Sequence, residues 1–460
     1  MSLTIAEVTA ALESGAVTAQ GLLERVEAAL DAAGPEAARI YTALDLEGAR
    51  RAACASDARR AEAATLGPLD GVPISVKCLF DMRGFVTHSG SKVLENAAPA
   101  AADADVIKRL RAAGAVIVGH TNMTEFAYSG LGLNPHFGTP RNPAVAPDLP
   151  ARIPGGSSSG AAASVGAGLA VIGLGTDTGG SCRIPAAFCG LTGFKPTARR
   201  IPQEGCYPLS YTLDSIGSIA ADVAGVALAD AVLVNEPDLG LSVPESIVGL
   251  RFGVLRNYVV DGLEPEVSQA WTDALERLRQ AGAELVDLEL PPIEAIPALN
   301  AGGGITGAEA FAVHRERLAE GEADYDPRVA VRIRKAETMT AEDYAAVLAA
   351  RAAMIAECDA LTEGLDAVLL PTVPMLAPEL APLETDEALY GQTNLRALRN
   401  PTVANFLDRC ALSLPLPQPD GALPVGLTLM GETMDDRRLL GIGTTVEAVL
   451  RHLAPAFSGE

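Results

Sequence analysis

Residues 152–197 read RIPGGSSSGAAASVGAGLAVIGLGTDTGGSCRIPAAFCGLTGFKPT, and this stretch constrains the chain more than any other. Two Gly-Gly-Ser turns, Gly155-Gly156-Ser157 and Gly179-Gly180-Ser181, carry two serines. Between them run a helix pattern of small residues and a short apolar strand pattern. No histidine falls in the stretch. Upstream, the apolar run GVPISV ends on Lys77. A serine hydroxyl is a poor nucleophile until a neighbour takes its proton. A lysine amine can do so once burial lowers its pKa, because low dielectric disfavours the charged form. A second serine can relay the proton. Glycines ahead of a serine allow close backbone approach and leave N–H groups free to converge on an oxyanion. Thr178-Gly179-Gly180-Ser181 can supply such donors.

Plainer readings exist for each feature. Lys77 alone would be an ordinary surface lysine. Ser157, Ser158 and Ser159 could cap the following Ala-rich helix. A nucleotide-binding loop is the main rival. A Walker loop needs a lysine at the helix start, and GGSSSGAA has none. A dinucleotide fingerprint needs its glycines after a strand, whereas those of GAGLAVIGLG flank one. The ordered set of lysine strand and two Gly-Gly-Ser turns favours catalysis.

Composition sets the bounds. At 460 residues, length alone allows two or three domains. Hydrophobic residues at 48% and charged ones at 20% are a globular profile. Aromatics are only 4%, so the core must pack small residues on closely approaching elements. A net charge of −23 repels phosphate backbones and anionic membranes. No nucleic acid and no membrane is therefore expected as a partner. Seven cysteines include no CxxC pair, which excludes a zinc knuckle or thioredoxin motif. Cys78 and Cys182 adjoin Lys77 and Ser181. Five histidines show no metal spacing, so no metal is expected. The first 24 residues lack a basic residue and a long apolar core, unlike a signal peptide. The uncharged run from Ile153 to Thr176 reaches membrane-span length, but glycines and serines break it. A soluble cytoplasmic protein is expected.

Along the chain, residues 3–64 suggest two or three helices. GVPISVK reads as a strand, ADVIKRLRAAG as a helix, AVIVGH as a strand, and TNMTEFAYSG as a helix capped by Thr121 or Asn122. After the signature, residues 221–234 predict a helix, 250–255 a strand, 264–282 an amphipathic helix and 284–290 a strand. Residues 295–365 look mainly helical. DAVLLPTVP, LSLPLP and PVGLTLMG return to the sheet before a last helix over 435–453. Alternating strands and helices imply an α/β fold, a mixed or largely parallel sheet with helices on both faces.

GVPISVK (71–77), GHTNMTEFAYSG (119–130), the two Gly-Gly-Ser blocks and PVGLTLMG (424–431) together resemble the amidase signature family of serine hydrolases. The resemblance implies one large α/β domain over 1–460, with a mixed, largely parallel central sheet covered by helices on both faces. Residues 1–64 would be N-terminal helices, 65–235 the signature core, and 236–460 the rest of the sheet and specificity helices. It implies Ser181 as nucleophile, Ser157 as bridging serine on a cis peptide, and Lys77 as base. Backbone N–H groups of Thr178, Gly179, Gly180 and Ser181 would form the oxyanion hole. Ser158, Thr176 and Asp177 would support them, and Arg183 would pair with a nearby acid. Two positions depart from the family pattern: Ser159 stands where glycine is usual, and Cys78 where aspartate is usual. The family cleaves carboxamide C–N bonds through an acyl-enzyme, without cofactor. A homodimer acting on a small-molecule amide is expected.

Segments 128–137, 206–211, 301–311 and 371–378 are Gly- and Pro-rich with few charges, which suits a neutral aliphatic or aromatic amide. The alternative within the family is the glutaminase component of a tRNA-dependent amidotransferase. That enzyme would bind glutamine's head with a late acid and arginine. LRALRNPTVANFLDRCA (395–411) does not present the acid clearly, which favours the free-standing amidase. A non-catalytic binding protein is a third reading, disfavoured because all three catalytic residues are present.

Overall fold

The computed structural model describes residues 3–236 and 240–452. Short apolar runs bounded by Gly, Pro and Asp form its strands. They are β1 (Tyr41–Leu44), β2 (Pro73–Lys77), β3 (Val116–Thr121), β4 (Ile172–Asp177), β5 (Thr192–Lys195) and β6 (Ser215–Ala220). The second half adds β7 (Arg251–Leu255), β8 (Glu284–Leu288), β9 (Ala367–Pro371), β10 (Ala411–Pro415) and β11 (Gly426–Met430). All eleven form one sheet in the order β1-β3-β2-β4-β6-β5-β10-β11-β9-β7-β8.

The α/β class and the mixed sheet are as expected, but the parallel share is smaller. Parallel pairs occupy the two flanks, β3-β2-β4 and β9-β7-β8. The six pairings through the centre and at β1 are antiparallel. The cause is connection type. Parallel neighbours need a helical crossover, whereas β5–β6 and β10–β11 are joined without a helix. β6 thereby inserts between β4 and β5, which a helix connects.

Helices cover both faces, and β4 shows how. Its alternation points Gly173 and Gly175 to one face and Ile172 and Leu174 to the other. A Cβ on Gly173 would lie 2.8 Å from Ala161 O, and one on Gly175 2.6 Å from Ser158 Oγ. Only glycine lets the helix Ser159–Gly166 sit that close. On the far face Ile172 and Leu174 join Val223 and Val226 of the helix Val223–Leu233.

Three local differences matter. Residues 3–64 hold four helices and also β1, which pairs antiparallel with β3. β5, β6 and the helices Arg183–Cys189 and Glu387–Phe406 lie outside the expectations. The helix expected over 121–130 does not form; a single turn, Glu125–Ala127, stands there. Asn122 donates its amide to Arg39 O and Gly138 O instead of capping, and the Thr124 N–H goes to Ser157 O at 3.1 Å. Phe126 and Ala127 are left-handed, at φ 49° and 60°.

Candidate active site

Lys77 ends β2 and Asp177 ends β4, so both parallel neighbours deliver a charged residue at the same edge of the sheet. Lys77 is fully buried. Its Nζ donates to Ser157 Oγ at 2.7 Å and to Thr176 Oγ1 at 2.9 Å. Burial pulls the amine down to about 8, while Asp214 works in the opposite direction.

Ser157 follows a cis Gly156–Ser157 peptide bond. A Cβ on Gly156 would lie 2.6 Å from Gly132 N, so the turn requires glycine there. The segment 124–130 arches over this bond and is stitched to it at both ends. Thr124 N–H donates to Ser157 O, and Gly156 N–H donates to Gly130 O at 2.9 Å. Ser158 N–H donates to Ser181 O at 3.2 Å, joining the two serine turns, and Ser158 Oγ donates to Thr176 O at 3.3 Å.

The turn carrying Ser181 is wound around a buried carboxylate. Asp177 accepts from the N–H groups of Gly180 (2.8 Å) and Cys182 (3.1 Å). Arg183 donates to it through Nε (3.0 Å) and Nη2 (2.9 Å), and both side chains are wholly buried. Burial pushes the Asp177 carboxyl up, but the Arg183 charge and hydrogen bonds outweigh it and hold the carboxyl far below the usual range. Asn405, on the helix Glu387–Phe406, locks the pair. Its Nδ2 donates to Asp177 Oδ1 at 3.0 Å and its Oδ1 accepts from Arg183 at 2.7 Å.

This arrangement corrects one expectation. The Gly180 N–H is committed to Asp177 and is not free for an oxyanion. Among the described residues no protein acceptor meets the N–H groups of Thr178, Gly179 or Ser181. Thr178 Oγ1 donates to Asp214 Oδ1 at 2.5 Å, and burial pushes the Asp214 carboxyl up to about 6.

Asn405 and Asp214 were not among the residues singled out from sequence. Nor was Arg332, on the helix Pro327–Arg334, whose guanidinium lies 4.6 Å over the Tyr128 ring. Its Nε is buried without a partner, and no carboxylate among the described residues forms an ion pair with it. The four loops expected around the acyl group form one chain of contacts. Gly307 lies against Tyr128 Oη, and Ser210 Oγ bonds Glu309. The segment 371–378 reaches the first from its other end: Val373, Met375 and Ala377 join Leu131, Leu133 and Ile153.

Among the described residues no group of three or more His, Cys, Asp or Glu could hold a metal ion, and no helix is long and apolar enough to cross a membrane.

Comparison with known proteins agrees along almost the whole chain. Residues 24–440 match the Amidase family model. The 2-amino-5-chloromuconic acid deaminase of Comamonas testosteroni is 37% identical, over 97% of this chain and 96% of that protein. The A component of the glutamyl-tRNA(Gln) amidotransferase of Roseiflexus sp. (strain RS-1) is 34% identical, over 97% of this chain and 96% of that protein. A crystal structure of an amidase superposes with a TM-score of 0.86 at 33% identity, covering 97% of this chain and all of the other.

Proposed function

This chain belongs to the amidase signature family and hydrolyses an amide C–N bond, and from that premise we propose that Ser181, Ser157 and Lys77 carry the reaction. The observation that carries this reading is the 2.7 Å contact between Lys77 Nζ and Ser157 Oγ, where burial lowers the amine toward about 8. Ser181 Oγ attacks the amide carbon as its proton passes to Ser157 Oγ. The Ser157 proton passes in turn to Lys77. The 2.7 Å distance serves either direction of donation. The oxyanion takes hydrogen bonds from the free N–H groups of Thr178, Gly179 and Ser181. The Lys77 proton then returns through Ser157 to the leaving nitrogen, which departs as ammonia or an amine. Water repeats the sequence on the acyl-enzyme.

Arg332 bears on the substrate. An unpaired guanidinium with a buried Nε calls for an anion. We therefore place a carboxylate on the substrate, in place of the neutral amide expected from loop composition. The relative from Comamonas testosteroni is named for an acid, which agrees. Glutamine fits less well, because its ammonium needs a free carboxylate. Asp214 is already filled by Thr178 and the N–H groups of Leu209 and Ser210. Glu309 is filled by Ser210, Thr212 and Tyr344. The reading includes a cytoplasmic homodimer; seven cysteines without a disulfide suit a reducing compartment.

A fluorophosphonate probe should label Ser181, and Ser181→Ala should abolish labelling and ammonia release while keeping the fold. Labelling that survives in Ser181→Ala would sink the assignment. Adipic acid monoamide should be hydrolysed at least about tenfold better than hexanamide, and Arg332→Met should erase that preference. An unchanged preference would remove Arg332 from the reading.

A further inference from the structure

Asp214 is a buried carboxylate that takes no proton in the relay from Ser181 to Lys77. It stands one residue before β6. β4 and β6 pair antiparallel with Asp177 opposite Ser215, so the next step of the ladder brings Thr178 opposite Asp214. There Thr178 Oγ1 donates to Asp214 Oδ1 at 2.5 Å. Lys77 meets the same strand end from the other side, where its Nζ donates to Thr176 Oγ1 at 2.9 Å. Neighbouring strands lie about 4.8 Å apart, so β2 and β6 are about 10 Å apart across β4. The lysine stem shortens that gap.

The contacts of Asp214 suit its ionised form. Oδ1 takes the Thr178 hydroxyl, and Oδ2 takes the N–H groups of Leu209 at 2.9 Å and Ser210 at 3.1 Å. Two of these three partners are backbone N–H groups, which can only donate. Burial raises the carboxyl to about 6, so it is charged where Lys77 titrates, near 8.

Lys77 is short of other anions. Its hydrogen-bond partners, Ser157 and Thr176, are neutral hydroxyls. The other groups that act on it are Cys182, Cys206, Asp214 and Cys78. Burial pushes the Cys78 and Cys182 thiols up to about 12 and raises Cys206 as well, so all three are neutral near pH 8. Asp177 is spent on Arg183 at 2.9 Å, and Glu309 on Ser210 and Thr212. Yet the reaction makes an ammonium here. As Ser181 Oγ bonds the amide carbon, the carbonyl electron pair moves onto oxygen and the proton ends on Lys77 Nζ. A buried cation is costly unless an anion answers it.

Resting on the amide-hydrolase reading, we propose that Asp214 is a positioning residue with two effects: it anchors Thr178 at the start of the oxyanion turn, and it supplies the negative charge that steadies Lys77 as the amine takes up the proton. The turn is then pinned at two places, by Asp177 through Gly180 and Cys182 and by Asp214 through Thr178.

The test is the rate at which a fluorophosphonate probe labels Ser181, followed from about pH 5 to about pH 10. This readout does not depend on which amide is the substrate. Asp214→Asn removes the charge and keeps the shape: its oxygen can hold the Leu209 and Ser210 N–H groups while its amide nitrogen donates to Thr178 Oγ1. In the unmutated chain the rate should climb through about pH 8. In Asp214→Asn the climb should move about one unit lower in pH, because an amine without its anion releases its proton more readily. The plateau should fall at least about tenfold, because a weaker base and a looser turn both slow attack. Thr178→Val keeps the charge and cuts the anchor, so its plateau should fall with the climb left in place. Thr178→Ser should restore the plateau. A merely structural role would lower the rate without moving the climb. An unmoved climb in Asp214→Asn, or one moved upward, overturns the proposal and leaves the hydrolase reading standing. If Asp214→Asn does not fold, the Thr178 pair decides: Thr178→Val as fast as Thr178→Ser overturns the proposal. A rate with no climb in the unmutated chain removes the base role of Lys77 and this proposal together.

Discussion

Lys77 must be neutral to accept a proton, and its surroundings decide the pH at which it is. Burial lowers it from 10.5 to about 8. The sign is that of a base: below about 8 the amine is charged and idle, and above it kcat/KM should level off. We expect kcat/KM in the free enzyme to climb with pH through that region. Lys77→Ala should cost about a thousandfold or more, in the range seen when one member of such a unit is removed. Lys77→Arg should not restore activity, because guanidinium stays protonated and its planar fork does not fit a point contact to Ser157. A pH-independent rate between about 6 and 9, or an active Lys77→Arg, would exclude the base role. The residues proposed for chemistry were legible because each sits in a short motif with its own turn glycines. Asn405 was not. It reaches the turn it stabilises from another part of the chain, and an asparagine on a helix carries no local signal of its partner.

At the scale of elements, the site depends on how closely the helix Ser159–Gly166 lies on β4. Its small residues and the strand's glycines signal that approach in the sequence, and the structure shows its tightness: Gly173 Cα faces Ala161 O with no room for a methyl group. Gly173→Ala must push the helix outward or shift the strand. Overpacking of this kind costs about 1–3 kcal/mol. The Ser157 turn leads into the displaced helix while Lys77 stays on β2, so the 2.7 Å contact should open. We expect Gly173→Ala to lose stability in urea unfolding and to lose activity beyond what its unfolded fraction explains. A variant as stable and active as the parent would show that the packing is more forgiving than described. The arch 124–130 teaches the opposite lesson. Its sequence offers helix-capping residues, yet its backbone groups are claimed by Ser157, Ser89 and Gly156, and tertiary bonds override the local preference.

Across the whole molecule, most strand positions were legible from apolar runs, β1, β5 and β6 excepted, but strand direction was not. Direction follows from which strands become neighbours, and the insertion of β6 between β4 and β5 leaves no mark in either segment. The pH dependence of stability is likewise a property of the whole. Burial lowers His88, His120 and His314 from 6.5 to about 4. Between those values the unfolded chain binds more protons, so each histidine withdraws stability as pH falls. Burial raises Asp214 and Asp230 from 3.8 to about 6, and Glu447 from 4.5 to about 7. There the folded chain binds more protons, so each acid adds stability as pH falls. The net charge of −23 also shrinks toward the pI near 4.6, which relieves self-repulsion. The opposing slopes should leave Tm nearly level from pH 6.5 to about 4. Below the ordinary aspartate value of 3.8 the balance ends, because Asp177 is held far below it by Arg183 and its stability is lost on protonation. Thermal unfolding followed across about pH 3–7 at low protein concentration should show a plateau and then a steep fall. His120→Asn should tilt the plateau, raising Tm relative to the parent as pH drops from 6.5 to about 4. A parent whose Tm already falls steeply between pH 6.5 and about 4 would show that the buried histidines, not the balance, govern acid stability.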